Sequence, residues 1–301
     1  MYKRQAVLHL KRRDRVDVEL KNGSIIKVDG GSNDVGATIR MQDYELGLIK
    51  FDWDRIKQIE FFQAPSDRRP KYGKLLYGTA ETRRGERYTG FIKWDDDERM
   101  GDDILDGDSR NGEQNVPFEN IVSIEKDGSG SQVTFGSGRQ IYLDGSNDVG
   151  DGNRGIIVHT DGIGTIEIPW KYFNKLTFED PPVGPTYNNY VLPSALQGTV
   201  IRYDGSEYEG QIIFDMDELW NFEILDGEDD YVKYEIPFRN IKRIVPKNRS
   251  YSMVYLRNGE ELLLGDTQDV SNSNDGLLIA RDPNRKSISI EWDDIDEIIF
   301  K

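Results

Sequence analysis

IPFRNIKRI, residues 236–244, carries an apolar pattern that four other segments of the sequence share. An apolar residue and an aromatic residue stand two positions apart, and two further apolar residues follow at intervals of three. The other copies are FDWDRIKQI (51–59), VPFENIVSI (116–124), IPWKYFNKL (168–176) and IEWDDIDEI (290–298). A spacing of two is typical of a strand and a spacing of three of a tight helical turn. Each copy therefore predicts a strand, a single helical turn and a second strand.

Two kinds of repeated unit end in these copies, and they alternate along the chain. The first kind begins GTAETRRGERYTGFIKWDDDE (78–98) and GTVIRYDGSEYEGQIIFDMDE (198–218), and the two are offset by a constant 120 residues. The second kind begins VELKNGSIIKVDGGSNDVG (18–36), VTFGSGRQIYLDGSNDVG (133–150) and VYLRNGEELLLGDTQDV (254–270). Short apolar runs around Asn-Gly, Ser-Gly or Asp-Gly pairs predict hairpins whose turns contain Gly23, Gly138, Gly205 and Gly259.

The repeats predict an all-β fold, a tandem array of five small barrels of alternating kind. Proline-rich segments at 63–72 and 181–194 are typical of linkers. The predicted domains are a leading barrel (1–62), first-kind barrels (73–127 and 195–247) and second-kind barrels (128–180 and 248–301). Almost no linker joins a first-kind unit to the following second-kind unit, so we expect these pairs to be rigid blocks.

The spacing of glycines and apolar residues in GTVIRYDGSEYEGQIIFDMDELWNFEIL (198–225) matches the first half of a known sequence pattern. The matching residues are Gly205, Tyr208, Gly210, Ile212, Asp215 and Asn221, and they recur as Gly85, Tyr88, Gly90, Ile92 and Asp95. This pattern resembles that of the Sm-like small β-barrels, over about 25 residues of each first-kind unit. The resemblance implies an Sm-like fold. The Arg-Gly pair with which the family helps to bind RNA has no match in VPFENIVSI or IPFRNIKRI.

Composition and charge narrow the functional classes. The chain contains no cysteine and only His9 and His159, which argues against thiol, zinc and serine–histidine chemistry. Residues 1–74 hold 16 basic and 11 acidic residues, whereas residues 75–301 hold 23 and 44. The acidic body predicts no nucleic-acid binding, because phosphate contacts need basic residues. The basic arm, residues 1–15, is either a contact for an acidic partner or simply solvated.

The sequence also bears on membranes and location. It has no apolar run of the ~18 residues that a membrane helix needs, so we expect no membrane insertion. Its first residues do not read as a secretory leader. The location stays open: cytoplasmic, or outside the cytoplasm if a leader is removed before Met1.

The acidic loops are candidate calcium ligands, since this cation takes six to eight oxygens. The best set is Asp144, Asn147, Asp148 and Asp151. Val149 and Gly155 stand where a helix–loop–helix calcium site needs Gly and Glu, so an Asx turn between two strands is the alternative interpretation.

Other residues are candidates for partner binding or catalysis. The partner-binding candidates are Asp95, Asp97, Glu98, Asp215, Asp217, Glu218, Trp220, Tyr187 and Tyr190. Trp220 aligns with Met100, so the fold requires no aromatic there, and the side chain is either an exposed contact or part of the core. Trp53, Trp94, Trp170 and Trp292 are predicted to fill the core. Asp106 and Asp226, in repeated Leu-Asp-Gly segments, resemble the paired aspartates of acid proteases but lack the following hydroxyl residue.

Together these features predict a non-catalytic binding or scaffold protein, without a cofactor, that engages a protein or a glycan. A calcium-stabilised extracellular adhesion protein is the alternative, and an acid hydrolase that uses paired Asp is the third.

Overall fold

The computed structural model describes residues 7–12, 15–21, 23–30, 35–43, 47–62, 74–182, 193–280 and 287–301. The chain divides into two compact units, one of residues 1–71 with 183–193 and one of residues 72–182 with 194–301. The described parts of both are built of antiparallel strands, which confirms the all-β prediction. No helix among these residues has the length and apolar character needed to cross a membrane. The predicted linker at 63–72 lies outside the described residues. Of the predicted linker at 181–194, residues 183–192 also lie outside them.

The leading unit, residues 7–62, forms two small sheets. Its elements are β1 (Val7–Arg12), β2 (Arg15–Glu19), β3 (Ile25–Asp29), β4 (Ile39–Asp43), β5 (Gly47–Phe51), the single-turn 3₁₀ helix η1 (Trp53–Arg55) and β6 (Gln58–Glu60). One sheet has the order β3-β2-β1-β6, and the other is the hairpin β4-β5. Trp53, at the start of η1, is buried as predicted.

The second unit contains two similar blocks, which we call the first block (74–182) and the second block (194–301). The first block contains β7 (Tyr77–Thr82), β8 (Arg87–Trp94), β9 (Ile104–Ser109), β10 (Gly112–Pro117), η2 (Phe118–Asn120), β11 (Ile121–Asp127), β12 (Gly130–Phe135), β13 (Gln140–Leu143), β14 (Ile156–Thr160), β15 (Gly164–Ile168) and β16 (Phe173–Phe178). The second block contains β17 (Gln197–Arg202), β18 (Glu207–Phe214), β19 (Ile224–Asp229), β20 (Val232–Pro237), η3 (Phe238–Asn240), β21 (Ile241–Pro246), β22 (Tyr251–Leu256), β23 (Glu261–Gly265), β24 (Leu277–Ala280), β25 (Ile288–Ile290), η4 (Trp292–Asp294) and β26 (Ile295–Phe300).

Within each block the strands of the two unit kinds interleave in one sheet. The second block has the order β20-β19-β23-β22-β21-β26-β17-β18-β24-β25. The first block repeats this as β13-β12-β11-β16-β7-β8-β14-β15, and the β9-β10 hairpin joins it through a bridge between Asp108 and Asp144. The sequence predicts five separate barrels, whereas no sheet in the described part of the chain closes on itself.

The short turn between β11 and β12 explains this difference. Because residues 128 and 129 alone connect the two strands, the last strand of the first-kind unit forms a hairpin with the first strand of the next unit. Strand β16 then pairs with β11 on one side and with β7 on the other, so the edges that would close each barrel are shared between units.

Aromatic residues of the closing pattern fill the core of each block together with the aromatic residue that ends β8 or β18. In the first block the Trp94 ring lies edge-on to Phe118 and Trp170, at ring distances of 6.2 and 5.8 Å. In the second block Phe214 contacts Phe238 and Trp292 in the same way. All four core tryptophans are at most 6% exposed, which confirms their predicted burial. Four of the five closing patterns contain a 3₁₀ helix, and the fifth has a turn at 170–172.

A strand pair joins the two blocks, since β15 pairs with β20 in the register Ile166 to Tyr234. The Tyr234 hydroxyl lies 2.6 Å from that of Tyr88, and the Tyr231 ring stacks on Tyr172 at 4.8 Å. Ion pairs Arg84–Asp230 and Glu167–Lys233 flank this contact. The blocks are therefore linked by a continuous 18-stranded sheet.

Candidate functional site

The structure brings the acidic loop after β8 together with the loop between β13 and β14. Asp95 is buried and accepts hydrogen bonds from the backbone N–H of Arg154, at 2.5 Å, and from its Nε, at 3.3 Å. The same guanidinium pairs with Asp97 at 2.7 Å through Nη2. Asn147 Nδ2 donates to Asp95 over 3.5 Å. Asp95 and Asp97 of the predicted partner-binding set and Asn147 of the predicted calcium set thus belong to one polar network.

Asp148 is the centre of this network. Its side chain is buried and accepts a hydrogen bond from the backbone N–H of Asp106 at 3.0 Å. Its carbonyl oxygen accepts bonds from Trp94 Nε1, at 2.9 Å, and from Asn153 Nδ2, at 3.1 Å. Asp148 therefore ties β9, the core tryptophan and its own loop together.

Burial in this network also raises the proton affinity of two of its carboxyl groups. It raises the pKa of the Glu98 carboxyl to about 8, and the nearby Asp148 and Asp97 carboxylates raise that pKa further. Burial likewise raises the pKa of Asp148 to about 7, with Asp106 and Asp95 contributing. The Oε2 atom of Glu98 is buried without a hydrogen-bond partner. At neutral pH the cluster consequently holds protons, so its charge is smaller than the number of its carboxylates.

The second block repeats the network with its own residues. Asp269 accepts the backbone N–H of Asp226 at 2.6 Å, and burial raises the pKa of Asp269 to about 6. Burial raises the pKa of Glu218 to about 8, as for its counterpart Glu98. Asp215 is buried and accepts the backbone N–H of Asp275. A network that recurs with the fold and bonds mainly to backbone groups serves to shape the loops.

The remaining calcium candidates do not converge on one point. The backbone of Asp144 pairs with that of Asp108, while Asp151 is exposed and lies 3.4 Å from Lys126 Nζ. In the described part of the chain, no group of three or more His, Asp or Glu side chains has the arrangement of a metal site. Calcium binding stays a prediction.

The two aspartates of the Leu-Asp-Gly segments each contact another carboxylate of their own block. Asp106 lies against Asp148, and Asp226 lies against Asp269. The predicted pair of Asp106 and Asp226 is not brought together in the described part of the chain: Asp106 contacts Asp148, Asp226 contacts Asp269, and burial alone raises the pKa of Asp226.

Trp220 is the exposed tryptophan of the chain. Its side chain is 37% exposed, and its ring is nearly parallel to that of Phe222, with ring centres 6.5 Å apart. Met216, 42% exposed, and the exposed Asp217 precede it in the same loop. We refer to Met216, Asp217, Trp220 and Phe222 as the aromatic loop. Tyr187 and Tyr190, the other aromatic candidates, lie outside the described residues.

The sequence prediction did not include Met216 and Phe222. A signal for both is present in the 120-residue offset, because their counterparts in the first block are Asp96 and Asp102. The equivalent loops are polar at these positions in the first block and apolar in the second. The shared fold therefore does not require apolar side chains there.

No family model matches the chain, and neither the curated proteins nor the solved structures provide a match.

Proposed function

We propose that this chain is a non-catalytic scaffold that binds a protein partner through the aromatic loop of its second block. The observation that carries the proposal is the exposed Trp220 side chain stacked beside Phe222. Exposed tryptophans next to other apolar side chains are enriched among residues that dominate binding energy.

The comparison between blocks supports a role in binding rather than in folding. The backbone N–H of Trp220 donates to Glu223 at 2.8 Å, and that of its counterpart Met100 donates to Asp103 at the same distance. Because Met100 and Asp102 support the same local structure in the first block, the fold does not need Trp220 and Phe222.

The charges of the loop favour one class of partner segment. Asp217 is exposed beside Met216 and Trp220, and the chain from residue 75 onward is strongly acidic. An apolar or aromatic anchor flanked by Lys or Arg would bury the tryptophan and face the carboxylates. A sugar ring stacked on Trp220 is the competing occupant, which the test below separates.

We propose in addition that the chain catalyses no reaction. Carboxylates with a raised pKa are frequent in active sites. Here they occur as matched sets, Glu98 with Asp148 and Glu218 with Asp269, and in each set the aspartate accepts a backbone N–H. This duplication with the fold supports a structural role.

We also propose that the repeated units derive from a small Sm-like barrel whose edges became shared between neighbours. Each first-kind unit retains five strands with a 3₁₀ helix before the last one, as β7–β11 and β17–β21 do. In this proposal the five units stay recognisable as repeats, while the block is the structural domain.

The test uses peptide display and a glycan array with the full chain as bait. We expect enriched peptides that contain an aromatic and a basic residue, and we expect their binding to shift the emission of the exposed Trp220. The variant Trp220→Met/Phe222→Asp, which installs the first-block residues, should weaken these peptides at least tenfold.

The matched control is Tyr203→Ser, at a side chain that is 64% exposed and outside the aromatic loop. Peptides that bind both variants as tightly as the unmodified chain would contradict the proposal. Retention on the glycan array alone would assign the loop to sugars instead.

A further inference from the structure

The leading unit repeats part of a block, strand for strand. Leu8 of β1 pairs with Val18 on one side and Ile59 on the other, just as Ile124 of β11 pairs with Val133 and Leu176. The order β3-β2-β1-β6 therefore corresponds to β13-β12-β11-β16, and the hairpin β4-β5 corresponds to β14-β15.

The blocks contain a hairpin for which the described part of the leading unit has no counterpart. In the first block, β7 pairs with β16 and β8 pairs with β14, so this hairpin joins the two parts of the sheet. In the second block, β17 and β18 do the same between β26 and β24. The equivalent edges of β6 and β4 carry no paired strand among the described residues of 7–62.

Side chains at these two edges are exposed where their counterparts are buried. Met41 of β4 is 45% exposed, whereas its counterpart Val158, covered by Ile92 of β8, is fully buried. Ile59 of β6 is partly exposed, whereas its counterpart Leu176, covered by Ala80 of β7, is fully buried. All four positions carry apolar residues, so residue type does not explain the difference in exposure. The hairpin that covers Val158 and Leu176 in the first block explains it.

We propose that the β4 and β6 edges of the leading unit bind a β-hairpin supplied by a partner protein. The hairpin adds one strand to each edge and buries Met41 and Ile59. The backbone groups of both edge strands gain hydrogen-bond partners at the same time.

The two hairpins of the blocks define the chemistry of the partner. Both carry glycine where the neighbouring backbone comes closest: a Cβ at Gly78 would lie 2.2 Å from the Thr177 carbonyl oxygen, and one at Gly90 would lie 2.2 Å from that of His159. Gly198 and Gly210 repeat this arrangement. The partner segment should contain Gly-x-(Ala/Val) in one strand and Gly-x-Ile-x-aromatic in the other, as GTA with GFIKW and GTV with GQIIF do.

The charge of the edge adds a selective feature. Arg40 of β4 is exposed and occupies the position of Ile157, which lies opposite Lys93 of the hairpin. An acidic residue at the Lys93 position of a partner hairpin would face Arg40 and strengthen binding. This surface lies in a different unit from the aromatic loop, so it is a second binding function.

The test uses a synthetic peptide of residues 74–98 with Ile92→Cys, offered to the full chain carrying Met41→Cys in a buffer of oxidised and reduced glutathione, where the oxidised glutathione takes up the two electrons of disulfide formation. Because the unmodified chain contains no cysteine, a disulfide between the peptide and the chain can form only at position 41. We expect rapid formation of the mixed disulfide and slower hydrogen exchange at residues 39–41 and 58–60. A peptide with Lys93→Glu should react severalfold faster, and one with Gly90→Val should react at least tenfold more slowly.

Ile25→Cys is the matched control, at a side chain of the same unit that is 60% exposed and lies on β3. Equal reaction at positions 25 and 41, or no reaction at position 41, would overturn the proposal. A dimer of the Met41→Cys chain, linked through its introduced thiol, would overturn it in favour of two copies pairing edge to edge. The intact aromatic loop in these variants keeps the result separate from the test of the proposed function.

Discussion

Single aspartates shape the loops that carry most of the predicted site residues. Asp95 and Asp215 both adopt a left-handed backbone, with φ of 44° and 46°. Few residues other than glycine tolerate this conformation, and Asp is among those enriched there. Each of the two also accepts a backbone N–H from the facing loop. Turn chemistry thus accounts for the presence of Asp at these two positions.

Glu98→Gln removes a carboxyl that keeps its proton up to about pH 8 in the folded protein. In the unfolded chain a glutamate loses its proton near pH 4.5. The folded state therefore binds more protons between these values, so the stability contributed by Glu98 falls as the pH rises from about 4.5 to 8. We expect the variant to flatten this fall and to raise stability at pH 8 by roughly 1–2 kcal/mol, after allowance for solvent screening.

Calorimetry between pH 4.5 and 8.5 measures this effect. Glu113→Gln, at an exposed residue of β10, is the control and should leave the pH profile unchanged. If the melting temperature falls equally with rising pH in both variants and in the unmodified chain, ionisation of Glu98 does not cause the loss of stability.

Strand pairing depends on glycines at the edges of the β7–β8 and β17–β18 hairpins. Gly90 of β8 packs its α-carbon against the β14 backbone, and a methyl group there would collide with the His159 carbonyl oxygen. These positions belong to the sequence pattern that resembles the Sm-like family. Their structural reason is the approach of a neighbouring strand.

Gly90→Ala is expected to destabilise the second unit by about 1–3 kcal/mol, because β8 must move away from β14. Gly136→Ala is the control, since nothing lies within 4 Å of its added methyl group. Urea denaturation gives both free energies of unfolding. Equal values for the two variants would show that the close strand approach costs nothing.

At the scale of the whole second unit, the β15–β20 pair links the two blocks. Strand β20 begins with the buried Val232 and places Tyr234 opposite Ile166 of β15, and the counterparts of these two residues in β10 are Gly112 and Gln114. The strand that forms the joint is thus more apolar than its equivalent.

The variant Val232→Gly/Tyr234→Gln installs the β10 residues in β20, the strand that forms this joint. We expect the second unit of the unmodified chain to unfold in one calorimetric transition and that of the variant to unfold in two, because the blocks lose their coupling. Val254→Ala, in the core of the second block and away from the joint, should keep one transition at lower temperature. A single transition in the joint variant would mean that other contacts couple the blocks.

The charge of the whole chain predicts weak interaction with nucleic acids. With 44 acidic and 23 basic residues after position 74, we expect no binding of oligouridine or oligoadenine in fluorescence anisotropy at ~0.15 M salt. Micromolar binding that survives deletion of the basic arm, residues 1–15, would contradict this expectation.

Local sequence patterns determine the secondary structure and the aromatic core of this protein. The alternation of apolar residues, the turn glycines and the closing pattern with its buried tryptophans are set by neighbours within about ten residues, so the sequence predicted the strands, the hairpins and the aromatic core. The acidic loops were recognised as a repeated feature for the same reason. Trp220 stood out because the 120-residue offset pairs it with Met100.

Long-range pairing was decided by the tertiary structure alone. Every edge strand of this chain offers the same backbone hydrogen bonds, so the sequence does not state whether β11 closes its own barrel or pairs with β16 of the next unit. The same holds for the carboxylates: Asp106 and Asp148 are 42 residues apart, and only the interleaved sheet brings them together. Their contact and the raised pKa of Asp148 follow from that sheet, because burial and neighbouring charge act through space and not along the chain.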